Sequence, residues 1–219
     1  PTYSAVHDHH YRAWNYKLKA DLSRLNQIPS KMERNEVKRL SVPEYDEYIQ
    51  PLLVSGQTGK NNDVFAWVLV WCVDAGLLDQ AMKMLAVALV NELTPPRLFT
   101  SRKLPEIVVE DLSAMVIEHQ TPEMFKDYLL KLEDLTKETS FPDYIRAKLY
   151  RALGQAMMKQ SAPDAAEWFE KSFEYNPKVG AKALLKKCRK LMDAPVRKTT
   201  RRRSRDTLKH APDDAKQYD

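Results

Sequence analysis

Apolar residues recur three and four apart along most of the chain, the repeat of a helix that buries one face. Over residues 5–26 they are Tyr11, Trp14, Leu18, Leu22 and Leu25, interleaved with Arg12, Lys17, Lys19, Asp21 and Arg24. Pro29 breaks this helix. Ser30, with Glu33 three residues on, is the signature of a capping box that opens a basic helix over residues 31–40. Pro43 stops that helix and opens a short third one over 44–54, and residues 56–62 read as loop. Asp63 is then the expected cap of an almost wholly apolar run, 64–75. Gly76 punctuates it, and Asp79 restarts a second run with Ala81, Met82, Leu85, Ala88 and Leu89, so the pair reads as a buried αα-hairpin.

Beyond Thr94-Pro95-Pro96 and a basic loop at 97–104 (Arg97, Arg102, Lys103), proline repeatedly falls where a helix should begin. Pro105 precedes Ile107, Val108, Leu112, Met115 and Val116; Pro122 precedes Phe125, Leu129, Leu132 and Leu135. Pro142 and Pro163 introduce helices over about 144–160 and 163–175, and Asn176-Pro177 is expected to open a last one running to about residue 192. Within this part Tyr150, Leu153 and Gly154, then Ala165, Phe169 and Pro177, resemble the tetratricopeptide pattern of aromatic, Leu-Gly, small-x₃-Phe and Pro. The expected architecture is all-α. N-terminal amphipathic and basic helices (1–56) precede a body of antiparallel, tetratricopeptide-like α-hairpins (57–193) and a disordered basic tail (194–219).

Composition sharpens this picture mainly through charge. The 219 residues carry a net charge of +5, with 43% hydrophobic and 30% charged residues, the balance of a globular chain with a real core. Residues 186–209 hold eleven basic and two acidic side chains, so the remainder of the chain is slightly acidic. Six cations, Arg197, Lys198, Arg201, Arg202, Arg203 and Arg205, fall within nine residues. They cannot build a core, and phosphate binding is their direct reading, with a salt slope of roughly −5 if all six engage duplex DNA. A nuclear-localisation or RNA-binding segment has the same charge signature. Lys31, Arg34, Lys38 and Arg39 of the basic helix are a second set of candidate phosphate contacts, against the plain alternative of a charged, solvated helix. Only five glycines are present, which disfavours Gly-rich phosphate cradles. Two distant cysteines, Cys72 and Cys188, show neither disulfide framework nor metal spacing. No signal peptide is read, and the ten-residue apolar run at 64–73 is too short for a bilayer, so no membrane role is expected.

Other constellations are weaker. Gly56-Gln57-Thr58-Gly59-Lys60 lacks the Walker spacing, and Asn61 stands where Ser or Thr would bind Mg²⁺. His7-Asp8-His9-His10 has no companion ligand cluster, so no metal is expected. Glu106, Glu110 and Asp111, or Glu133 and Asp134, have the chemistry to hold Mg²⁺ for a nuclease, yet such pairs are common on solvated helix faces. Trp67 and Trp71 fit a core better than a base-stacking platform. No catalytic residue is assigned and no cofactor is expected.

One block carries a family likeness. Asn62-Asp63-Val64-Phe65 leads through Val70-Trp71-Cys72-Val73-Asp74-Ala75-Gly76-Leu77-Leu78 to Ala81-Met82. This run resembles the small terminase subunits of temperate myophages of the coliphage P-two type, which show a similar one: an acidic start, an apolar helix ending in Leu-Trp, then Asp-x-Gly, then Ala-Leu. Leu25, Ile28, Ser30-Lys31 and Lys38-Arg39 upstream are similar to the family's basic N-terminal region. Downstream, Arg146-Ala147-Lys148-Leu149, Asp164-Ala165-Ala166 and the basic tail are also similar, so that scattered positions over residues 10–205 carry the likeness. The resemblance implies a protein of the bacterial host's cytoplasm that binds double-stranded viral DNA at the cohesive-end site and hands it to a large ATPase subunit for packaging. It also implies a homo-oligomeric ring, for which the first helix and the apolar hairpin are the expected contacts. The family's subunit is often labelled an endonuclease, which would require Mg²⁺, but no catalytic constellation and no clean helix-turn-helix is visible here. A tetratricopeptide-like adaptor with an incidental tail is the remaining alternative.

Overall fold

The computed structural model describes residues 3–99 and 101–193. Among them every regular element is helical, as expected. The α-helices are α1 (Tyr3–Asn26), α2 (Lys31–Ser41), α3 (Asp46–Ser55), α4 (Asp63–Asp74), α5 (Leu78–Val90), α6 (Leu104–Glu118), α7 (Lys126–Thr136), α8 (Asp143–Met157), α9 (Ala162–Tyr175) and α10 (Lys182–Met192). Single 3₁₀ turns at Val42–Tyr45, Arg97–Phe99 and Pro122–Phe125 lie between them. The 194–219 tail lies outside the described residues.

Local chemistry explains most boundaries. The Ser30 hydroxyl accepts from the Glu33 amide at 3.3 Å, satisfying an orphan donor at the start of α2. Gly76 stands at φ 72° behind α4, and the Leu77 amide reaches back to the Cys72 carbonyl at 2.8 Å, a left-handed cap that only glycine adopts cheaply. Two boundaries differ from the sequence reading. The cap of α4 is Asn62 rather than Asp63: its Oδ1 accepts from the Phe65 amide at 3.0 Å, the three-residue reach that Asp63 lacks to that donor. Asn176-Pro177 does not open α10. The Asn176 side chain instead accepts from the Lys178 amide at 2.9 Å, and a turn through Gly180 at φ 82° delays the helix to Lys182.

One core runs from α1 to α8. Leu18 and Leu25 of α1, with Val42, Tyr45 and Ile49, join Phe65, Leu69 and Trp71 of α4, Met82 and Leu85 of α5, and Leu104, Ile107 and Leu112 of α6. The core therefore crosses the 56–57 boundary without interruption. The apolar hairpin expected to meet a neighbouring subunit is the centre of this core. Val64, Phe65, Leu69, Trp71, Met84 and Leu85 are fully buried within their own chain, and burial of each large side chain contributes about 2–3 kcal/mol. Trp71 meets the Tyr45 ring edge-on at 5.8 Å, and half-buried Trp67 packs on Phe99 at 5.4 Å, so neither indole is a base-stacking platform.

A satellite core of Ala165, Ala166, Phe169, Ala181, Leu185 and Cys188 joins α9 and α10. It is coupled to the main body at Gly154 on α8, where the Phe169 ring lies so close that an added Cβ would stand 2.5 Å from its Cε1. Ser172, wholly buried, donates to the Ala147 carbonyl at 2.7 Å and ties α9 to α8 a second time.

Candidate nucleic-acid interface

The four cations of α2 have different fates. The Lys38 ammonium donates to Asp74 at the end of α4 at 2.6 Å, with both side chains mostly buried. Arg34 turns back to donate to the carbonyls of Ile28 and Pro29 at 2.7 and 2.9 Å, closing the bend between α1 and α2. Arg39 is exposed and paired with Glu36 on the same helix at 2.6 Å. Lys31 is exposed at the start of α2 and lies within electrostatic reach of Asp111. Lys38 and Arg34 thus fasten α2 to the body, while Lys31 and Arg39 face solvent. The tail cations Arg197, Lys198, Arg201, Arg202, Arg203 and Arg205 lie outside the described residues.

Asp111 is the unusual carboxylate of this region. Burial, reinforced by the nearby charge of Asp74, pushes its pKa up to about 6, although Arg102 and Lys31 pull the other way. Its neighbour Glu110 behaves oppositely. Burial opposes ionisation there too, but hydrogen bonds from Lys148 at 2.6 Å and Arg102 at 2.7 Å outweigh it and hold the carboxyl below its ordinary value. Glu106 reaches back to the Lys103 amide at 3.1 Å and caps α6. Glu106 and Glu110, suggested by the sequence as Mg²⁺ ligands, therefore serve as a helix cap and a bridge between α6, α8 and the 97–104 loop. Asp134 pairs with Lys137 at 2.9 Å. Among the described residues no group of three or more His, Cys, Asp or Glu is arranged to hold a metal ion.

The Gly56–Lys60 loop is held by side chains rather than shaped as a phosphate cradle. Asn91 accepts from the Thr58 amide at 3.2 Å and donates to the Gly56 carbonyl at 2.8 Å. Lys60 pairs with Glu92 at 3.1 Å. A groove of about 940 Å³ between this loop, α1 and α3 is lined by His10, Tyr11, Tyr48 and Leu52 among others, with no Lys, Arg, Asp or Glu. His10 accepts from the Trp14 indole at 3.2 Å and stacks near Tyr48 at 5.7 Å; the side chains of His7 and His9 are outside those described.

A further cationic surface is one most of whose residues the sequence analysis counted within the basic 186–209 segment but did not name as phosphate contacts. Helix α10 carries Lys182, Lys186, Lys187, Arg189 and Lys190 in eleven residues, with no acidic side chain. All five are exposed, while Leu185 and Cys188 are buried. Arg189 pairs with Glu170 of α9 at 2.9 Å, an exposed contact worth little in water. The signal was present in the sequence as a cationic, acid-free helix continuous with the basic tail.

Among the described residues no helix is long and apolar enough to cross a membrane. Residues 15–144 match the family model described as phage small terminase subunit. The matched segment covers the second half of α1 and all of α2–α7, and ends at the start of α8. A curated protein of Escherichia phage P2 named "Terminase, endonuclease subunit" is 30% identical over 146 residues, 66% of this chain. The match spans 58% of that relative's own length. No solved structure matches the chain.

Proposed function

The chain belongs to the phage small terminase subunit family, and from that premise we propose that it acts in phage genome packaging, in the cytoplasm of the bacterial host. In this reading it binds double-stranded viral DNA at the cohesive-end site and passes it to the large ATPase subunit. The family match over residues 15–144 is the observation that carries the reading. Lys31 and Arg39 on α2 and the tail cations Arg197, Lys198, Arg201, Arg202, Arg203 and Arg205 are the phosphate contacts it favours. Lys38 and Arg34 contribute by holding α2 in place. A homo-oligomeric ring adds avidity, because several copies on one duplex raise the effective concentration of each contact. The exposed faces of α1–α3, rather than the buried α4–α5 pair, are then the surfaces left for neighbours.

A second reading has one specific observation behind it, the word endonuclease in the name of the phage P2 relative. In this chain Glu106 and Glu110 already have structural partners, so the favoured role is recognition and assembly rather than cleavage. The test is binding of the full chain to labelled cohesive-end DNA and to a scrambled duplex over a salt series, with and without Mg²⁺. Preference for the cohesive-end fragment without cutting is expected. Site-specific cutting that needs Mg²⁺ favours the endonuclease reading, and no DNA binding at any salt favours the tetratricopeptide-like adaptor.

A further inference from the structure

We propose that the exposed face of α10 is a sequence-independent binding surface for the sugar-phosphate backbone of duplex DNA. The proposal rests on the DNA-binding reading above and adds a site to it. Three features of the helix point to an anionic ligand.

The first is geometry. At about 100° per residue, Lys182, Lys186, Lys187, Arg189 and Lys190 fall within an arc of roughly 160°. The buried Ala181, Leu185 and Cys188 occupy the opposite side, against α9. Successive members of the Lys182, Lys186 and Lys190 row are about 6 Å apart along the axis. That is about two phosphate rises along one strand of B-DNA.

The second feature is that the lysine row works against the helix, although Arg189 and Lys190 in the last turn suit its dipole. Lys182 occupies the first turn, where the helix dipole disfavours a cation, and that turn has neither an acidic residue nor a side-chain cap. Lys182, Lys186 and Lys190 repel one another at four-residue spacing. Among the described residues Arg189 alone of the five has an ion-pair partner. An external polyanion would relieve this repulsion along the whole row.

The third feature separates DNA from a lipid surface. A basic amphipathic helix that enters membranes needs its apolar side available. In α10 most of that side is committed to α9 through Leu185 and Cys188, which leaves Leu191 and Met192 at the helix end as its exposed large apolar side chains, too few for a membrane-inserting face. The helix also lies beyond the 15–144 segment matched to the family model.

The test uses the full chain and a fluorescent 30-base-pair duplex of arbitrary sequence, with affinity read by anisotropy from 50 to 200 mM NaCl. One variant carries Lys182→Gln, Lys186→Gln, Lys187→Gln and Lys190→Gln. A charge-matched control carries Lys60→Gln, Lys83→Gln, Lys131→Gln and Lys137→Gln, on other faces. If each α10 lysine meets one phosphate, the log–log salt slope of the first variant is smaller in magnitude by about 3–4. The wild-type affinity then falls about 150-fold more than the variant's over that salt range. The control keeps the wild-type slope, and arginine at the four α10 positions restores it. An unchanged slope in the α10 variant overturns the proposal while leaving DNA binding intact. Equal losses in variant and control reduce the effect to net charge and also overturn it, as does loss of large-subunit binding with DNA affinity retained. A wild-type chain that binds no duplex at all refutes the DNA-binding reading itself. Unaltered thermal melting of both variants establishes that the fold is kept.

Discussion

Replacing Gly154 with alanine sets two opposed effects against each other at a single contact. In an ordinary helix interior the change stabilises by about 0.8–1 kcal/mol, because glycine has more backbone freedom to lose. Here the new methyl would stand 2.5, 2.6 and 2.8 Å from Cε1, Cδ1 and Cζ of Phe169, where carbon atoms prefer about 3.5–4.0 Å. The ring is wholly buried and must retreat by about 1 Å into the satellite core, an overpacking that costs about 1–3 kcal/mol. The clash should win, with a net loss of about 1–2 kcal/mol. In a chain of this size each kcal/mol lowers the melting temperature by roughly 2–4 °C. Phe169→Ala removes Cδ, Cε and Cζ together, so on that background, itself destabilised by the cavity, Gly154→Ala should become neutral or stabilising. The double-mutant cycle, measured by urea unfolding, should give a coupling of about 2–3 kcal/mol. A local readout accompanies it. Burial raises the pKa of both thiols, that of Cys72 to about 12; labelling of Cys188 on the buried side of α10 should accelerate in Gly154→Ala, while Cys72 in the main core stays protected. Stabilisation by Gly154→Ala in both backgrounds, with Cys188 labelling unchanged, would refute the claim that Phe169 wedges α9 against α8 at this glycine.

Further predictions concern the charged junction and the phosphate contacts. Asp111, raised to about 6 from an ordinary 3.8, binds its proton more tightly folded than unfolded, so the folded state loses stability as pH rises from about 4 to 6. Asp111→Asn should abolish that fall and stabilise the chain by about 1–2 kcal/mol at pH 7 after allowance for solvent screening; urea midpoints that change with pH in parallel for both chains would contradict this. Lys38→Met leaves Asp74 without its 2.6 Å partner and should cost about 1–2 kcal/mol, with the DNA salt slope unchanged. Lys31→Gln with Arg39→Gln should do the reverse, making the slope shallower by about 2 with little effect on melting. A matching loss of slope in Lys38→Met would mean that this lysine leaves Asp74 to meet DNA.

The sequence by itself determined what depends on near neighbours. Three-and-four spacing of apolar residues marked the helices, because a helical face is a local property of the backbone. Ser30 with Glu33 marked the start of α2 and Gly76 the end of α4, since caps act within a few residues. Even here adjacent candidates competed: Asn62 took the cap from Asp63, and Asn176 formed a turn in place of a helix start. Only the tertiary structure decided the use of each charge. Lys38 and Arg39 are sequence neighbours, but α2 crosses α4 so that one meets Asp74, 36 residues away, and the other faces water. Glu110 and Asp111 are neighbours too, yet α8 brings Lys148 to the first, while the second lies half-buried near Asp74, and their pKa values move in opposite directions. The same holds for α10, whose cations became a surface once its apolar side closed on α9. Electrostatic partnership depends on which helices cross, and crossing is set by the packing of the whole core rather than by any local run of residues.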